Sequence, residues 1–230
     1  MAELPDRPDL VSVCAGSSTP HLLSRRETQA SAQDDTLRLN LHWFSSTMAK
    51  TYPELDDALT HFIQAQSVFF VATAPLAAEG HVNLSPKGLD TFRILGPKTV
   101  AYLDIFGSGV ETIAHLRENG RIVIMFCAFQ GATKILRLHG HGRVIEPHQP
   151  GFGDLQVHFA AQEGTRAIIV VELTRISDSC GYGVPLLKLE AERPTLPAWC
   201  RKRGTEGLKI YRQEKNRQSI DGLPGVAEQE

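Results

Sequence analysis

The sequence predicts a mainly β fold, in which an antiparallel β-barrel is flanked by a few helices. The first observation is that segments of strand length, rich in β-branched and aromatic residues, outnumber amphipathic helical segments along the 230 residues. The second is that most of these strands follow one another through short turns. A parallel doubly wound sheet would need a helix after nearly every strand, so it is the weaker alternative.

The length and composition are those of one globular domain preceded by a tail. Residues 48–230 are expected to form the domain, which ends in a helical segment, and a core of this size is stable without disulfides. Residues 1–47 are rich in Ser, Thr, Gln, Asp and Pro and lack apolar periodicity. They cannot bury enough surface to offset the entropy of ordering, so we expect a disordered or loosely docked tail.

The first half of the domain is predicted to contain one helix followed by four strands. Thr51 and Glu54 fit a capping box that opens the helix, and apolar residues then recur at helical spacing as far as Ile63. Gly96 and Pro97 mark a turn between the last two strands. From their β-branched and aromatic content, the strands are expected at residues 67–73, 81–85, 91–95 and 99–105.

The second half is predicted to contain a helix, three longer strands and two short helices. Ser108 is a candidate N-cap of the first helix, and Gly120 is expected to end it. Residues 121–129 are nearly all apolar, which indicates a strand buried on both faces. Gly140 and Gly142 interrupt the next strand and indicate a bulge or a barrel corner. The elements are a helix at 108–119, strands at 121–129, 134–145 and 167–176, and helices at 196–203 and 206–217.

Composition and charge exclude several classes of function. The formal net charge of −2 gives no general attraction to nucleic acid or to an anionic membrane. No apolar run approaches the roughly 18–20 residues of a membrane span, and the acidic N-terminus is not a secretory signal, so a cytoplasmic protein is expected. The four cysteines are scattered, and His139 and His141 have no convincing third ligand, so neither disulfides nor a metal site is expected.

The most informative polar motif is residues 82–88 (VNLSPKG). The period of two in a strand directs Asn83 and Ser85 to one face, and Pro86 is expected to end the pairing of this strand. Lys87 and Gly88 follow. Amide, hydroxyl and ammonium donors would thus converge beside a glycine that allows close approach, as a phosphate or an electron-rich heterocycle requires. An exposed strand end with ordinary polar residues is the alternative interpretation.

A second motif, residues 102–112 (YLDIFGSGVET), leads from a strand through glycines into a helix. Free N–H groups and the positive end of the helix dipole form an anion site without net positive charge. Gly107 and Gly109 allow backbone amides to point at a ligand. The alternative is a capped helix after a tight turn. Because one hairpin separates the two motifs, a barrel could bring them together.

A third motif is residues 134–143 (KILRLHGHGR). Alternation places Arg137 and His139 on one face of a strand and Lys134 on the other. We interpret the two histidines of the motif as polar strand residues close to a dimer interface.

In this order, the three motifs resemble those of the pyridoxamine-5′-phosphate-oxidase-like split barrels that bind flavin mononucleotide (FMN). Residues 178–185 (DSCGYGVP) and 219–225 (SIDGLPG) are similar to a subgroup of that family whose substrates are poorly defined. The resemblance implies a roughly six-stranded split barrel and a homodimer with FMN at the subunit interface. Carried over by position, it implies cofactor contacts from Asn83, Leu84, Ser85, Pro86, Lys87, Asp104, Ser108, Gly109, Glu111 and Thr112, and contacts to the partner subunit's flavin from Lys134 and Arg137.

The resemblance also implies an FMN-dependent oxidoreductase that acts on an unidentified small molecule or electron donor. The chain departs from the oxidases proper at Val82, where they have an arginine, and at Ser108 and Gly109, where they have an Arg-Lys pair. A reaction on vitamin B6 itself is therefore not expected, and no residue stands out as a catalytic acid or base. The alternatives are a non-catalytic flavin- or haem-binding protein and a deazaflavin-dependent reductase.

Overall fold

The computed structural model describes residues 49–226, in which an antiparallel sheet is flanked by helices. The strands are β1 (Thr51–Tyr52), β2 (Phe69–Thr73), β3 (Asn83–Lys87), β4 (Phe92–Gly96), β5 (Thr99–Ile105), β6 (Arg121–Cys127), β7 (Ile135–Ile145) and β8 (Thr165–Ser179). The helices are α1 (Asp57–Gln64), α2 (Glu111–Asn119), α3 (Phe152–Gln156) and α4 (Thr195–Lys215). The predicted tail at residues 1–47 lies outside the described residues.

The pairing of the strands confirms the predicted fold class. The strands lie in the order β3-β2-β6-β7-β8-β5-β4, with β1 on β8, and each of these pairings is antiparallel. β3 and β4 stand at the two ends of this order although they are consecutive in the chain, so the sheet is split between them. Within residues 49–226 the sheet has eight strands instead of about six, one of which is the two-residue β1.

The main core lies on one face of the sheet, to which the period of two directs alternate residues of each strand. Its strand members include Val71, Tyr102, Ile124 and Leu138, all without exposed surface. Helices α1 and α2 add further apolar side chains to the same cluster, among them Leu59 and Ile113. The core therefore fixes α2 against the strands, and with it the glycine-rich segment that precedes this helix.

A second, smaller core covers the opposite face of β5 and β8. Leu103 and Ile168 pack there with Phe152 of α3, a helix that the sequence analysis did not predict. β5 and residues 166–171 of β8 are therefore buried on both faces. The strand at residues 121–129 was predicted to be buried on both faces. This prediction was wrong for β6, because Val123 and Met125 remain partly exposed on its second face.

The start of α1 differs from the prediction. Thr51 does not cap a helix, because residues 51–52 pair with β8 as β1 and their backbone groups are used in the sheet. The helix begins at Asp57 instead, and the carboxylate of Asp56 caps it by accepting a hydrogen bond from the backbone N–H of Leu59 at 2.8 Å. Asp is a stronger N-cap than Thr, and the pairing of β1 with β8 also excludes Thr51 from this role.

Two further expectations about the polar motifs were wrong in their boundaries. Pro86 does not end β3, which continues to Lys87, because β3 is an edge strand and tolerates a residue without an N–H. Helix α2 begins at Glu111 instead of Ser108, and its N-cap Val110 makes no side-chain hydrogen bond. The segment 107–110 is therefore a loop between β5 and α2.

The predictions of a helix end at Gly120, of a bulge in β7 and of two C-terminal helices were confirmed. Gly120 ends α2 in the left-handed conformation, with φ of 71°. The pairing of β7 with β8 shifts its register between His139 and Gly140, as expected of a bulge. α4 consists of two helices joined at Gly204, whose φ of 64° breaks the helical path. No helix within residues 49–226 is long and apolar enough to span a bilayer.

Candidate functional site

A cleft of ≈ 400 Å³ lies between β3, the end of β5 and the start of α2. Small-molecule sites typically have volumes of about 300–1,000 Å³. Residues of both polar motifs line the cleft: Asn83, Ser85, Pro86, Lys87, Gly88, Gly107, Ser108, Gly109, Glu111 and Thr112. The apolar part of its wall consists of Leu89, Leu103, Ile105, Phe106 and Leu196. The fold thus brings the two motifs together in one site.

A hydrogen bond joins the two motifs directly. The side-chain amide of Asn83 on β3 donates to Oγ1 of Thr112 on α2 over 2.9 Å. Asn83 in turn accepts a hydrogen bond from the hydroxyl of Ser85 over 3.1 Å. Because Asn83 and Ser85 lie two residues apart on the same strand, both face the cleft. The polar side chains are therefore held in one arrangement before any ligand binds.

A buried ion-pair cluster forms the floor beside Lys87. Asp104 has no exposed surface, and its two carboxylate oxygens accept from Nζ of Lys87 at 3.0 Å and from Nε of Arg166 at 2.7 Å. Burial alone would raise the pKa of Asp104, but the guanidinium and the ammonium lower it below its usual 3.8. Asp104 therefore stays ionised, and the cluster of two cations and one anion carries one net positive charge.

Arg166 was missed by the sequence analysis. Its guanidinium also donates to the backbone carbonyl of Gly109 at 2.8 Å, so it supports the loop that precedes α2. The register between β5 and β8 shifts between Asp104 and Ile105, which places Arg166 beside Asp104. The sequence signal was weak, since it was a single arginine at the start of an apolar run.

Glu111 adds a negative charge to the lining of the cleft. Its carboxylate accepts a hydrogen bond from the backbone N–H of Ile220 at 3.3 Å. The same C-terminal segment contacts the loop through Asn216, whose amide donates to the carbonyl of Gly107 at 2.9 Å. The loop between β5 and α2 is therefore held from two sides, by Arg166 and by Asn216.

Four of the predicted cofactor contacts do not line this cleft. Leu84 is 63 % exposed on the opposite face of β3. Lys134 precedes β7, and its Nζ lies 5.3 Å from the centroid of the Phe62 ring. Arg137 donates to Oγ of Ser179 at 3.0 Å, on the partly exposed face of β7. Asp104 lies beneath Lys87 and does not itself line the cleft.

The donors of this site suit a polar organic ligand with an anionic group. An ammonium and hydroxyl groups converge there, which are groups that bind phosphates and heterocycle edges. In the part of the chain that the structure describes, no group of three or more His, Cys, Asp or Glu side chains is placed to hold a metal ion.

Comparison with known proteins gives a match to a family model and to a protein of the same family. The family model described as pyridoxamine 5′-phosphate oxidase matches residues 55–180. The pyridoxamine 5′-phosphate oxidase family protein ustO of Aspergillus flavus is 39% identical over 192 residues, which cover 76% of this chain and 77% of that protein.

Solved structures show weaker similarity. A putative pyridoxamine 5′-phosphate oxidase from Lactobacillus delbrueckii is 15% identical with a TM-score of 0.44, and the match covers 55% of this chain and 98% of that one. An FMN-binding protein from Syntrophomonas wolfei is 16% identical with a TM-score of 0.40, and the match covers 68% of this chain and all of that one.

Proposed function

Because the chain belongs to the pyridoxamine 5′-phosphate oxidase family, we propose that it is a flavoprotein that binds FMN in the cleft between β3 and α2. We propose further that it is an oxidoreductase whose substrate is a small molecule. The observation that carries the proposal is the convergence of the Asn83–Thr112 hydrogen bond and the Lys87–Asp104–Arg166 cluster in one cleft.

The residues present fit such a cofactor. FMN combines a phosphate with a planar ring whose edge carries hydrogen-bond donors and acceptors. Lys87 is partly exposed and uses one of its three N–H donors on Asp104, so two remain for an anion. The backbone N–H groups of the first turn of α2 lie at the same cleft, and Ser108 and Gly109 line it. The fixed hydroxyl groups of Ser85 and Thr112 suit the ring edge or the ribityl chain.

Each group has a defined task in this proposal. Asn83, Ser85 and Pro86 line the ring, and Lys87 stabilises negative charge on the phosphate or on the reduced ring. Ser108, Gly109 and Thr112 hold phosphate or ribityl oxygens, while Arg166 and Asp104 hold the loop and Lys87 in place. Bound FMN supplies hydride or electron transfer, and the protein supplies orientation and electrostatic tuning.

The double variant Lys87→Ala with Ser85→Ala tests the placement of the cofactor. We expect it to fold, because Arg166 still neutralises Asp104, and to bind FMN about 100-fold more weakly than the wild-type protein. A hydrogen bond to a charged group contributes about 1.5–3 kcal/mol and a neutral one about 1 kcal/mol. Titration of the apo-protein with FMN and with riboflavin, followed by flavin fluorescence, measures the loss and shows whether Lys87 acts on the phosphate.

Lys98→Ala is the matched control, because Lys98 is exposed in the turn between β4 and β5 and does not line the cleft. It should leave the affinity for FMN unchanged. A folded double variant that binds FMN as tightly as the wild type would show that the cofactor lies elsewhere.

Oxidation of NADPH by the FMN-loaded protein, with oxygen or a quinone as acceptor, separates an oxidoreductase from a binding protein.

We also propose that the chain forms a homodimer through the outward face of β3, β2 and β6. The register of these strands places Leu84 beside Ala72 and Ala72 beside Val123, and Phe70 lies beside Met125. All five side chains are exposed or partly exposed. Exposed apolar surface of this kind marks protein interfaces. Arg137 lies next to Met125 on the same face, where it would reach the partner's cofactor.

The variant Leu84→Glu tests this dimer. A charge placed in the apolar contact should weaken association at least about 100-fold, because burying an unpaired carboxylate costs several kcal/mol. Sedimentation equilibrium should show a dimer for the wild type and a folded monomer for the variant. The control is Val157→Glu, since Val157 is 79 % exposed at the end of α3 and should leave the dimer intact. A wild-type monomer at micromolar concentration would contradict the proposal.

A further inference from the structure

A second cavity, of ≈ 560 Å³, adjoins the cleft between β3 and α2. It lies between the second half of α1 and the starts of β2 and β4, and it is larger than the cleft itself. The two share part of their walls, because Gly88 and Thr91 line both. The volume lies within the range of about 300–1,000 Å³ that is typical of small-molecule sites. None of the groups that hold FMN in the proposed function lines this second cavity.

The shared wall has a strained backbone. Leu89 and Asp90 have φ of 63° and 45°, in the left-handed region that favours glycine. The hydroxyl of Thr91 holds this turn by donating to the carbonyl of Gly88 at 2.7 Å. The guanidinium of Arg93 donates to the two carboxylate oxygens of Asp90 at 2.8 Å and 3.0 Å. Strain that the surrounding structure maintains in this way is concentrated at ligand sites, so it supports the same interpretation as the volume.

The apolar part of the lining is largely aromatic. Phe69, Phe92 and Phe126 line the cavity. The ring of Phe92 packs edge-on against the other two, with centroids 5.2 Å from Phe69 and 5.1 Å from Phe126. Phe92 remains partly exposed, whereas the other two are buried beneath it. Such rings favour a flat ligand that can pack edge-to-face or stacked, and their faces attract cations.

The charged groups of the lining carry one net negative charge. They are the carboxylates of Asp90 and Glu192 and the guanidinium of Arg93. Arg93 is paired with Asp90, and its Nε donates to the carbonyl of His158 at 2.7 Å. Within residues 49–226 the lining therefore offers no unpaired cation to an anionic ligand. This is the opposite of the cleft, where the cluster beneath Lys87 carries a net positive charge.

We propose that this cavity is a second ligand site, and that its ligand is a small aromatic amine without a phosphate group. The flat ring of the ligand packs against the partly exposed Phe92. The ammonium group of the ligand pairs with Glu192, which is exposed at the rim. The hydroxyl of Thr60 and the amide of Gln64, both on α1, supply neutral hydrogen-bonding groups beside it. A phosphate ester is rejected, because it would meet the carboxylates without a free cation.

Titration of the apo-protein with the cationic tryptamine, the uncharged indole and the anionic indole-3-propionate tests this class of ligand. In two-dimensional NMR spectra, tryptamine should shift the backbone amides of residues 60–69 and 88–94 and leave residues 107–112 unchanged. It should bind about tenfold more tightly than indole-3-propionate, with indole between them, because the two differ by two unit charges near the carboxylates. Equal affinities of tryptamine and indole-3-propionate, or shifts confined to residues 107–112, would overturn the proposal.

The variant Thr60→Trp tests the location of the site. Thr60 is partly buried and lines the cavity from α1, so an indole side chain at this position would fill the space of the ligand. Tryptamine should bind at least about tenfold more weakly, while the affinity for FMN should not change. The matched control is His61→Trp, since His61 is exposed on the same helix and does not line the cavity. A folded Thr60→Trp that binds tryptamine as tightly as His61→Trp contradicts the proposal.

The variant Glu192→Lys tests the charge without putting the fold at risk, because Glu192 is exposed. The net charge of the lining changes from one negative to one positive, so indole-3-propionate should now bind more tightly than tryptamine. Glu190→Lys is the control, since Glu190 is exposed and does not line the cavity, and it should keep the preference of the wild type. An unchanged preference in Glu192→Lys would be evidence against the site. Binding of FMN without binding of tryptamine refutes this proposal alone, and the reverse result refutes only the proposed function.

Discussion

Replacing Asp104 with alanine is expected to destabilise the apo-protein by about 3–5 kcal/mol, because the substitution leaves the buried guanidinium of Arg166 without its counter-ion. Lys87 also loses its partner, although it can turn to solvent. We expect the loop between β5 and α2 to become mobile as well, since Arg166 holds the carbonyl of Gly109. Urea unfolding of the apo-protein measures the change in stability, and hydrogen exchange of residues 105–112 measures the change in the loop.

Asp154→Ala is the control for this variant. Asp154 is exposed in the first turn of α3, so its loss should change stability by less than about 0.5 kcal/mol. If Asp104→Ala lowers the free energy of unfolding by less than about 1 kcal/mol, the ion-pair cluster does not stabilise the floor of the cleft.

The contribution of Asp104 to the stability of the folded protein also depends on pH. Its pKa in the folded protein lies below the usual 3.8, so the folded state binds fewer protons than the unfolded state in this range. The stabilisation is complete above pH 3.8 and is lost as the pH falls through the lower, folded-state pKa. The difference in stability between the wild type and Asp104→Ala should therefore shrink on acidification below about pH 4.

The second large effect is expected for Glu146→Ala. Glu146 follows β7, has no exposed surface and accepts hydrogen bonds from the guanidinium groups of Arg117 on α2 and Arg212 on α4. Because Arg212 is also buried, removal of the carboxylate should cost about 3–5 kcal/mol. The C-terminal half of α4 should loosen first, and with it Asn216, which holds Gly107 at the cleft. Thermal unfolding and hydrogen exchange of residues 205–226 measure both effects.

Glu206→Ala is the matched control. Glu206 pairs with Lys209 on the same helix, and both side chains are more than half exposed. The substitution should therefore lower the free energy of unfolding by no more than about 0.5 kcal/mol. If Glu146→Ala and Glu206→Ala unfold at the same temperature, the buried carboxylate does not hold α4 to the domain.

The candidate site was predicted in its composition but not in its internal contacts. The period of two along β3 was enough to place Asn83 and Ser85 on one face, and the single hairpin between the motifs was enough to suggest that they meet. Arg166 and the contact of Asn216 with Gly107 were not predicted, because the first depends on a register shift between β5 and β8 and the second on how α4 packs against the loop before α2. Neither a register shift between strands nor the packing angle of a helix can be recognised in the local sequence.

The sequence alone determined the mainly antiparallel fold, the breaks at Gly120, Gly140 and Gly204, and most of the polar residues that line the cleft. These features follow from periodicity and from backbone preferences, which act within a few residues. Only the tertiary structure decided that Thr51 joins the sheet, that Pro86 lies within an edge strand, and that Asp104 is held between Lys87 and Arg166. These outcomes depend on partners far away in the chain, whose hydrogen bonds and charges outweigh the local preference at each position.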